Sequence, residues 1–447
     1  MHHVIIGAGP AGVTAAETIR KHRGGDRITL LGDEDAPPYS RMAIPYYLEG
    51  DIAETGTYLR AAAGHYDDLG IDLRQARVGS LDAGAKILKL DGGDELAFDR
   101  LLIATGASPI RPPIEGLDLA GVQTCWTLAD AREIAKRAEK GAPVVLVGAG
   151  FIGSIILQAL VAKGVQLTVV EMGDRMVPRM LDEAAGTMLK RWCEAKGVRV
   201  LTGTTVKAIA KPEAAKPAAP QPEPGFFARL FGQRPPEPTA PPAPVDETLK
   251  VTLDNGETMA AKLVVIAAGV RPNIGFLQAS GLELGAGVSV DDHLRASAPD
   301  IYAAGDVAEA RDLSSGQFDV LAIQPVAVEH GHIAALNMAG NPTPHRGSLN
   351  MNVLDTIGLV SSSFGSWMGI EGGDRGQLLD EAGWRYLRLE FDGDRLIGGQ
   401  AVGLTEHVGM MRGLIQTGLR LGAWKDRLIK APERLTEAYV ATAQGIK

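Results

Sequence analysis

The chain states one pattern twice. His3-Val4-Ile5-Ile6 is a short apolar run that leads into Gly7-Ala8-Gly9-Pro10-Ala11-Gly12 and then a helical pattern from Val13 to about Lys21. Val144-Val145-Leu146-Val147 leads in the same way into Gly148-Ala149-Gly150-Phe151-Ile152-Gly153. In such a turn the first glycine permits the tight bend, the second lets the backbone approach a diphosphate, and the third lets the helix pack close to the strand. The helix start then offers unpaired N–H groups and the positive end of its dipole to an anion. A carboxylate that holds a ribose belongs at the end of the next strand, about twenty residues on. Asp33-Glu34 stands there in the first copy, after Ile28–Leu31, and Glu171 in the second, after Leu167–Val170. One glycine turn is a weak signal, because such turns are common. Two complete copies predict two dinucleotide sites within a parallel α/β framework.

Other stretches fit that framework. Leu101–Ala104 and Leu263–Ala267 are strand-like runs that end on Thr105-Gly106 and Ala268-Gly269, and each follows a hairpin signal, Asp91-Gly92-Gly93-Asp94 and Asp254-Asn255-Gly256. Ile301–Ala304 ends on Gly305-Asp306, which reads as a simple turn or as a carboxylate that reaches a sugar hydroxyl. Ala142–Ala162 carries no charge and is long enough to span a bilayer, but its glycines divide it into a buried strand and a helix. After residue 385, Arg385–Phe391 and Leu396–Gly403 form a hairpin pattern around Asp392-Gly393-Asp394, and helical patterns run over Thr405–Leu421 and Pro432–Ala443. This end reads as an α+β module.

The region 211–244 is foreign to the rest, with eleven of the chain's 26 prolines, and predicts extended linkers. Within it, Gly225-Phe226-Phe227-Ala228-Arg229-Leu230-Phe231-Gly232 reads as an apolar hook that docks on a partner or a bilayer surface, or else folds onto its own surface or stays disordered. A net charge of −9 argues against nucleic acid as a partner. Cys125 and Cys193 form no metal-like cluster or disulfide framework and read as buried apolar residues in a reducing compartment. No metal site is expected, and no secretory leader is read, so the expected location is cytoplasmic, peripheral to a membrane or complex if the hook docks.

Taken together, these residues resemble the pyridine nucleotide–disulfide oxidoreductase superfamily. Within it they are most similar to the branch of NADH-dependent rubredoxin and ferredoxin reductases, nitrite reductase flavin domains, NADH oxidases and coenzyme A disulfide reductases. The resemblance implies an FAD-binding domain from 1–112 and 273–324, and an NAD-binding domain from 113–272 that carries an insert at 211–246. It also implies a C-terminal α+β interface domain from 325–447 that mediates a homodimer. FAD would lie against Gly7, Gly9, Pro10, Ala11 and Gly12, with Asp33 or Glu34 on its ribose. Arg41, Ala104, Thr105, Gly106, Gly305 and Asp306 would complete that site. A helix starting near Pro325 (Val326, Ala327) would aim its positive end at the flavin. NADH would lie against Gly148, Gly150, Phe151, Ile152, Gly153 and Gly269. Glu171 there favours NADH over NADPH, since a carboxylate bonds a 2′-hydroxyl and repels a 2′-phosphate; Arg175 and Arg179 nearby pull the other way.

Two departures from the family narrow the chemistry. Met42 occupies the place of the redox cysteine, and a thioether forms neither a thiolate nor a disulfide. Ile155 and Tyr46 stand where relatives carry a glutamate and a lysine, so a charge pair beside the flavin is lost as a pair. Met42, Tyr46 and Phe151 are the candidates for residues beside the flavin, and none is expected to act as an acid or base. The expected activity is hydride transfer from NADH to FAD, then electron transfer to a small redox protein such as a rubredoxin, a ferredoxin or an iron–sulfur subunit. Two alternatives stand: an NADH oxidase or diaphorase reducing oxygen or quinone, and an electron-relay or docking subunit of a larger complex.

Overall fold

A computed structural model describes residues 1–211 and 248–443. Its frame is a pair of five-stranded, all-parallel sheets. In the first, the order is Ile301–Ala303, Arg100–Ile103, His2–Ile6, Arg27–Gly32, Ile71–Gln75. His2–Ile6 takes the centre because it is apolar on both faces, and its register runs from His2 opposite Arg27 to Ile6 opposite Leu31. In the second, the order is Arg199–Thr202, Gln166–Glu171, Pro143–Val147, Leu263–Ile266, Val122–Thr124. The central strand again pairs in step with the next one, ending at Val147 opposite Val170. The stretch that imitated a membrane span is this strand followed by the helix Phe151–Ala162. Among the described residues, no helix is long and apolar enough to cross a membrane.

The units differ in one strand. The outer strand beside Arg100–Ile103 arrives late in the chain, whereas the one beside Leu263–Ile266 (Val122–Thr124) comes before its sheet's central strand. Each unit also carries a three-stranded antiparallel sheet: Val78–Asp82, Ile87–Leu90 and Glu95–Ala97 in the first, Val206–Ala210, Leu249–Leu253 and Thr258–Ala261 in the second. The hairpins read at Asp91–Asp94 and Asp254–Gly256 join strands of these small sheets. The proline-rich insert joins Val206–Ala210 to Leu249–Leu253, where Ala210 lies opposite Lys250. The Gly225–Gly232 hook lies outside the described residues.

The two units are tied by the short antiparallel strands Ala107–Pro109 and Val270–Pro272, which are the two chain crossings between them. The C-terminal sheet has the order Met351–Thr356, Leu359–Gly365, Arg395–Val402, Arg385–Asp392, Asp374–Asp380. Its central hairpin follows the sequence pattern. The strand Leu359–Gly365 is not legible in the same way, because Ser361, Ser362 and Ser363 are all buried and no apolar alternation marks them. The helix Ala423–Lys430 also went unread, and the pattern over Thr405–Leu421 resolves into a 3-10 turn at Thr405–His407 and a helix, Val408–Thr417, that stops at Gly418 (φ +58°).

The helix Gln324–Met338 packs on Pro10–His22, and its Ala327, Ala334, Ala335 and Met338 belong to the core of the first unit. The expected boundary at 324/325 falls at the start of this helix, whose packing is with the first unit. The contact needs a glycine: a Cβ on Gly331 would stand 2.3 Å from the Ala11 carbonyl oxygen. Gly331→Ala should lower the unfolding free energy by roughly 1–3 kcal/mol, the usual cost of overpacking, as measured by urea denaturation.

Candidate functional site

The two glycine turns are built alike, atom for atom. Gly7 donates its N–H to the Leu31 carbonyl at 2.8 Å, and Gly148 donates to Val170 at 2.8 Å. Both have positive φ, +111° and +101°. A Cβ on Gly7 would lie 2.1 Å from the Ala104 oxygen, and one on Gly148 would lie 2.4 Å from the Ala267 oxygen. The third glycines close the turns from behind: a Cβ on Gly12 would meet the Gly7 oxygen at 1.9 Å, and one on Gly153 would meet the Gly148 oxygen at 2.1 Å. Gly9 and Gly150 are the reverse case, with nothing within 4 Å of a Cβ. They face open space that a diphosphate would take. Each is the N-cap of its helix, with no side-chain cap and no acidic residue in the first turn, so the first N–H groups remain available to an anion.

The carboxylates differ. Glu171 follows Val170 directly and is only 8% exposed; its Oε2 accepts the Ala149 N–H at 2.6 Å and its Oε1 the Gly173 N–H at 2.7 Å. In the first unit the equivalent position, directly after Leu31, is Gly32, where a Cβ would lie 3.1 Å from Ala8 Cβ. The acidic pair comes one and two residues later. Glu34 is taken up locally, accepting the Tyr39 hydroxyl at 2.5 Å and Arg41 Nη2 at 2.6 Å. Asp33 is exposed at the edge of the cleft.

A cleft of about 430 Å³ opens over the first turn. Gly7, Gly9, Pro10 and Ala11 form its floor, and Ala104, Thr105 and Gly106 one wall. That wall is fastened to the crossing strand: Thr105 Oγ1 donates to the Asn273 carbonyl at 3.0 Å, and Asn273 Nδ2 donates back to the Thr105 carbonyl at 2.9 Å. Arg41 crosses the cleft, donating to the Tyr39 hydroxyl at 3.0 Å and the Trp126 carbonyl at 2.7 Å, with its guanidinium 5.1 Å from the Trp126 ring centre. Ala322, Ile323, Gln324 and Pro325 bring the start of a helix to the same space, again without a side-chain cap. Ser40 Oγ donates to Gln324 Oε1 at 2.5 Å and ties the Arg41 loop to that helix. Tyr39, Trp126 and Gln324 were not legible as site residues, since no local pattern marks a side chain that closes a cleft from another element.

Asp306 is aimed into this cleft beside Gly305. Burial raises its carboxyl from 3.8 to about 6, against the opposing pull of Arg41. Its own backbone N–H is its hydrogen-bond partner. A half-buried carboxylate on the cleft wall, with so little compensation, suits a ligand rich in hydroxyl groups.

Much of the cleft lining is apolar. Ile44, Pro45, Ile152, Ile155 and Ile156 belong to it, and Met42 and Phe151 face the same space. Three residues expected at this first site are not part of it, and one of them is Gly12, which closes the turn from behind. Tyr46 is 55% exposed and lies outside the cleft lining, and Val326 is buried in the core, while its neighbour Ala327 reaches the wall. Cys125 lines the cleft, and Cys193 does not. Burial pushes both thiols up to about 12, so neither supplies a thiolate near neutrality. Among the described residues, no cluster of side chains suits a metal ion. The second turn's own group, Gly148, Gly150, Gly153, Glu171 and Gly269, gathers at the start of the Phe151–Ala162 helix, with Gly269 (φ +102°) following the Ala267 carbonyl that Gly148 abuts.

A family model described as pyridine nucleotide-disulphide oxidoreductase matches residues 1–222 and 239–331. The Gly225–Gly232 hook falls in the interval it leaves unmatched. The chain is 29% identical over 434 residues to the NADH-dependent phenylglyoxylate dehydrogenase subunit epsilon of Aromatoleum evansii, covering 96% of this chain and 95% of that one. It is 30% identical to a rubredoxin-NAD(+) reductase of Pseudomonas putida, covering 76% of this chain and 80% of that one. The solved structure of a NAD-dependent persulfide reductase from A. fulgidus superposes with a TM-score of 0.81 at 26% identity, covering 100% of this chain and 84% of that one.

Asp306 provides a test with a defined sign. Its carboxyl costs the fold nothing below about pH 4, and the native chain loses stability as pH rises from there through about 6. Without cofactor, Asp306→Asn should therefore be more stable than the native chain at pH 7, by on the order of 2–3 kcal/mol, and equal to it at pH 3.5. The same variant should bind FAD roughly 10–100-fold more weakly, the loss of a charge-assisted hydrogen bond. Thermal melts at the two pH values and a flavin titration of the apoprotein check both halves.

Proposed function

Since the chain belongs to the pyridine nucleotide-disulphide oxidoreductase family, we propose that FAD occupies the cleft over the Gly7 turn and that NADH binds the Gly148 turn, the two meeting at Phe151. The protein is an NAD(H)-dependent flavin oxidoreductase, and its activity is hydride transfer to FAD followed by electron transfer to a redox protein. The observation that carries the arrangement is the Phe151–Ala162 helix. Its N-terminus forms the second phosphate cradle, and its Phe151, Ile152, Ile155 and Ile156 form part of the first cleft's wall. A dinucleotide whose diphosphate lies at that helix start can thus bring its nicotinamide to the apolar wall of the cleft. Bound FAD supplies the redox chemistry, taking a hydride and releasing electrons.

The chain's residues supply place and field. The N–H groups at Ala11 and Gly12 face the diphosphate, and Arg41, held by Glu34, Tyr39 and Trp126, brings a positive charge to it. Asp33 takes the adenosine ribose and Asp306 the ribityl hydroxyls. The uncapped helix start at Gln324 turns its positive dipole end toward the flavin ring. The apolar wall excludes water from the transfer, and no side chain there donates or accepts a proton. Glu171 keeps lone pairs free for a ribose 2′-hydroxyl. Arg175 is occupied by the Leu181 and Pro178 carbonyls and by Asp174, which leaves it poorly placed to clasp a 2′-phosphate and supports NADH over NADPH.

With Met42 in place of a thiol and both cysteines buried, no thiolate of the chain is placed to relay electrons, and a small redox protein is the acceptor we favour over oxygen or quinone. A second reading, that the chain is the NADH-reactive subunit of a larger complex, is favoured by the near full-length match to a dehydrogenase subunit. Gly225–Gly232 would then be its docking segment, and a homodimer would form through the C-terminal sheet.

Anaerobic addition of NADH should bleach the bound flavin, with NADPH much slower; a flavin that stays oxidised with both would refute the hydride-transfer assignment. The two cradles separate by substitution. Gly9→Ala should yield colourless protein of near-native stability, because its Cβ meets only the space meant for FAD. Gly150→Ala should keep FAD and lose most NADH reduction, read from the flavin spectrum in the same titration.

A further inference from the structure

The loop that leaves Glu171 returns to the fold before the next helix begins. Val177 in its middle is buried and lies at φ +49°, which a β-branched residue adopts only where its surroundings impose it. Its N–H donates to the Ala149 carbonyl of the second glycine turn at 2.8 Å, and its carbonyl accepts from Leu181 N–H at 3.0 Å. Arg175 braces the inside, donating to the Leu181 carbonyl at 3.0 Å. Residues 172–181 therefore form one cross-braced loop, pinned near its middle to the phosphate turn.

The loop's other end is Asp182, and most of its bonds leave the second unit. Oδ1 accepts the Ala185 N–H at 3.0 Å, capping the helix Glu183–Ala195. Oδ2 accepts the Tyr386 hydroxyl, and also Arg388 Nη1 at 2.7 Å. The Asp182 N–H donates to Gln400 Oε1 at 2.9 Å. Arg388 is held from its other side by Glu390, a buried carboxylate that also accepts from Arg375 at 2.7 Å. Tyr386, Arg388 and Gln400 sit on neighbouring strands of the C-terminal sheet, with Arg388 directly opposite Gln400. An ion pair this secluded adds little net stability, because desolvation offsets much of its attraction; its better-attested use is to hold one arrangement against others.

The geometry points to a clamp that positions the NADH site: Tyr386, Arg388 and Gln400 hold Asp182, and through it the 172–181 loop, in the shape that presents Glu171 to the adenosine half of the nucleotide. The inference rests on the NADH assignment above. These are positioning residues that act through the loop, so the C-terminal unit, which lends Met351, Asn352 and Val353 to the flavin cleft, also governs the second cofactor from a separate place.

Two variants test the clamp in the FAD-loaded full chain. Asp182→Ser keeps an N-cap oxygen but is too short to reach Tyr386 or Arg388, and Tyr386→Phe removes one hydroxyl while keeping the ring. Calorimetric titration with ADP-ribose reads the second site without turnover, and steady-state rates with NADH and ferricyanide read KM and kcat. ADP-ribose Kd and NADH KM should both rise roughly tenfold in Asp182→Ser, about one charge-assisted hydrogen bond, and less in Tyr386→Phe. Flavin content, flavin spectrum and kcat should hold. Unchanged ADP-ribose affinity in both variants would overturn the clamp and leave the cofactor assignment standing. Loss of flavin in parallel with ADP-ribose affinity would overturn it too, reducing the network to general scaffolding. A native chain that binds no ADP-ribose would remove the second-site assignment and this inference with it.

Discussion

A carbonyl oxygen pressed against a glycine is the contact on which this architecture depends. Ala104 and Ala267 each present their oxygen where the first glycine of a turn would carry a Cβ, and that turn's own oxygen presses on the third glycine. The packing draws strand, turn and helix so close that the helix N–H groups remain uncapped and exposed to whatever fills the space beside Gly9 or Gly150. Helix starts suited to an anion are thus a consequence of backbone sterics before any side chain is considered. The middle glycines show what the space is for, since they alone of the six could accept a Cβ without touching protein.

Duplication of this unit would give two independent binding domains if nothing joined them. Several connections join them to each other and to the C-terminal sheet. The paired strands Ala107–Pro109 and Val270–Pro272 fix the crossing, the Phe151–Ala162 helix is shared between cradle and cleft, and the Asp182 network fastens the second unit to the C-terminal sheet. Gln324–Met338 shows the same economy: it belongs to the first core by its packing and to the wall of the first cleft by its N-terminus.

The cleft lining combines a few charged side chains, Asp33, Glu34, Arg41 and Asp306, with many apolar ones, among them Ile44, Ile152, Ile155, Ile156, Met42 and Phe151. Ile155 belongs to that apolar lining, whereas Tyr46 faces solvent. A site of this kind performs its chemistry through proximity and a low dielectric, with the cofactors as reagents.

The sequence by itself determined the parts whose physics is local: both glycine turns, the strands that feed them, the Asp-rich hairpins and the Arg385–Val402 hairpin. Each depends on residues within a few positions of one another, where φ preference and apolar period act directly. Tertiary structure alone decided which acidic residue follows the first ribose strand in register (none, for Gly32 stands there), that Glu34 is spent on Arg41, and that Val326 faces the core while Ala327 faces the cleft. It also decided that three buried serines form a strand and that Asp182 meets Arg388 across 206 residues. Those outcomes turn on which side chains are brought together when separate elements pack. Spacing along the chain carries no record of a meeting whose partners lie on different elements.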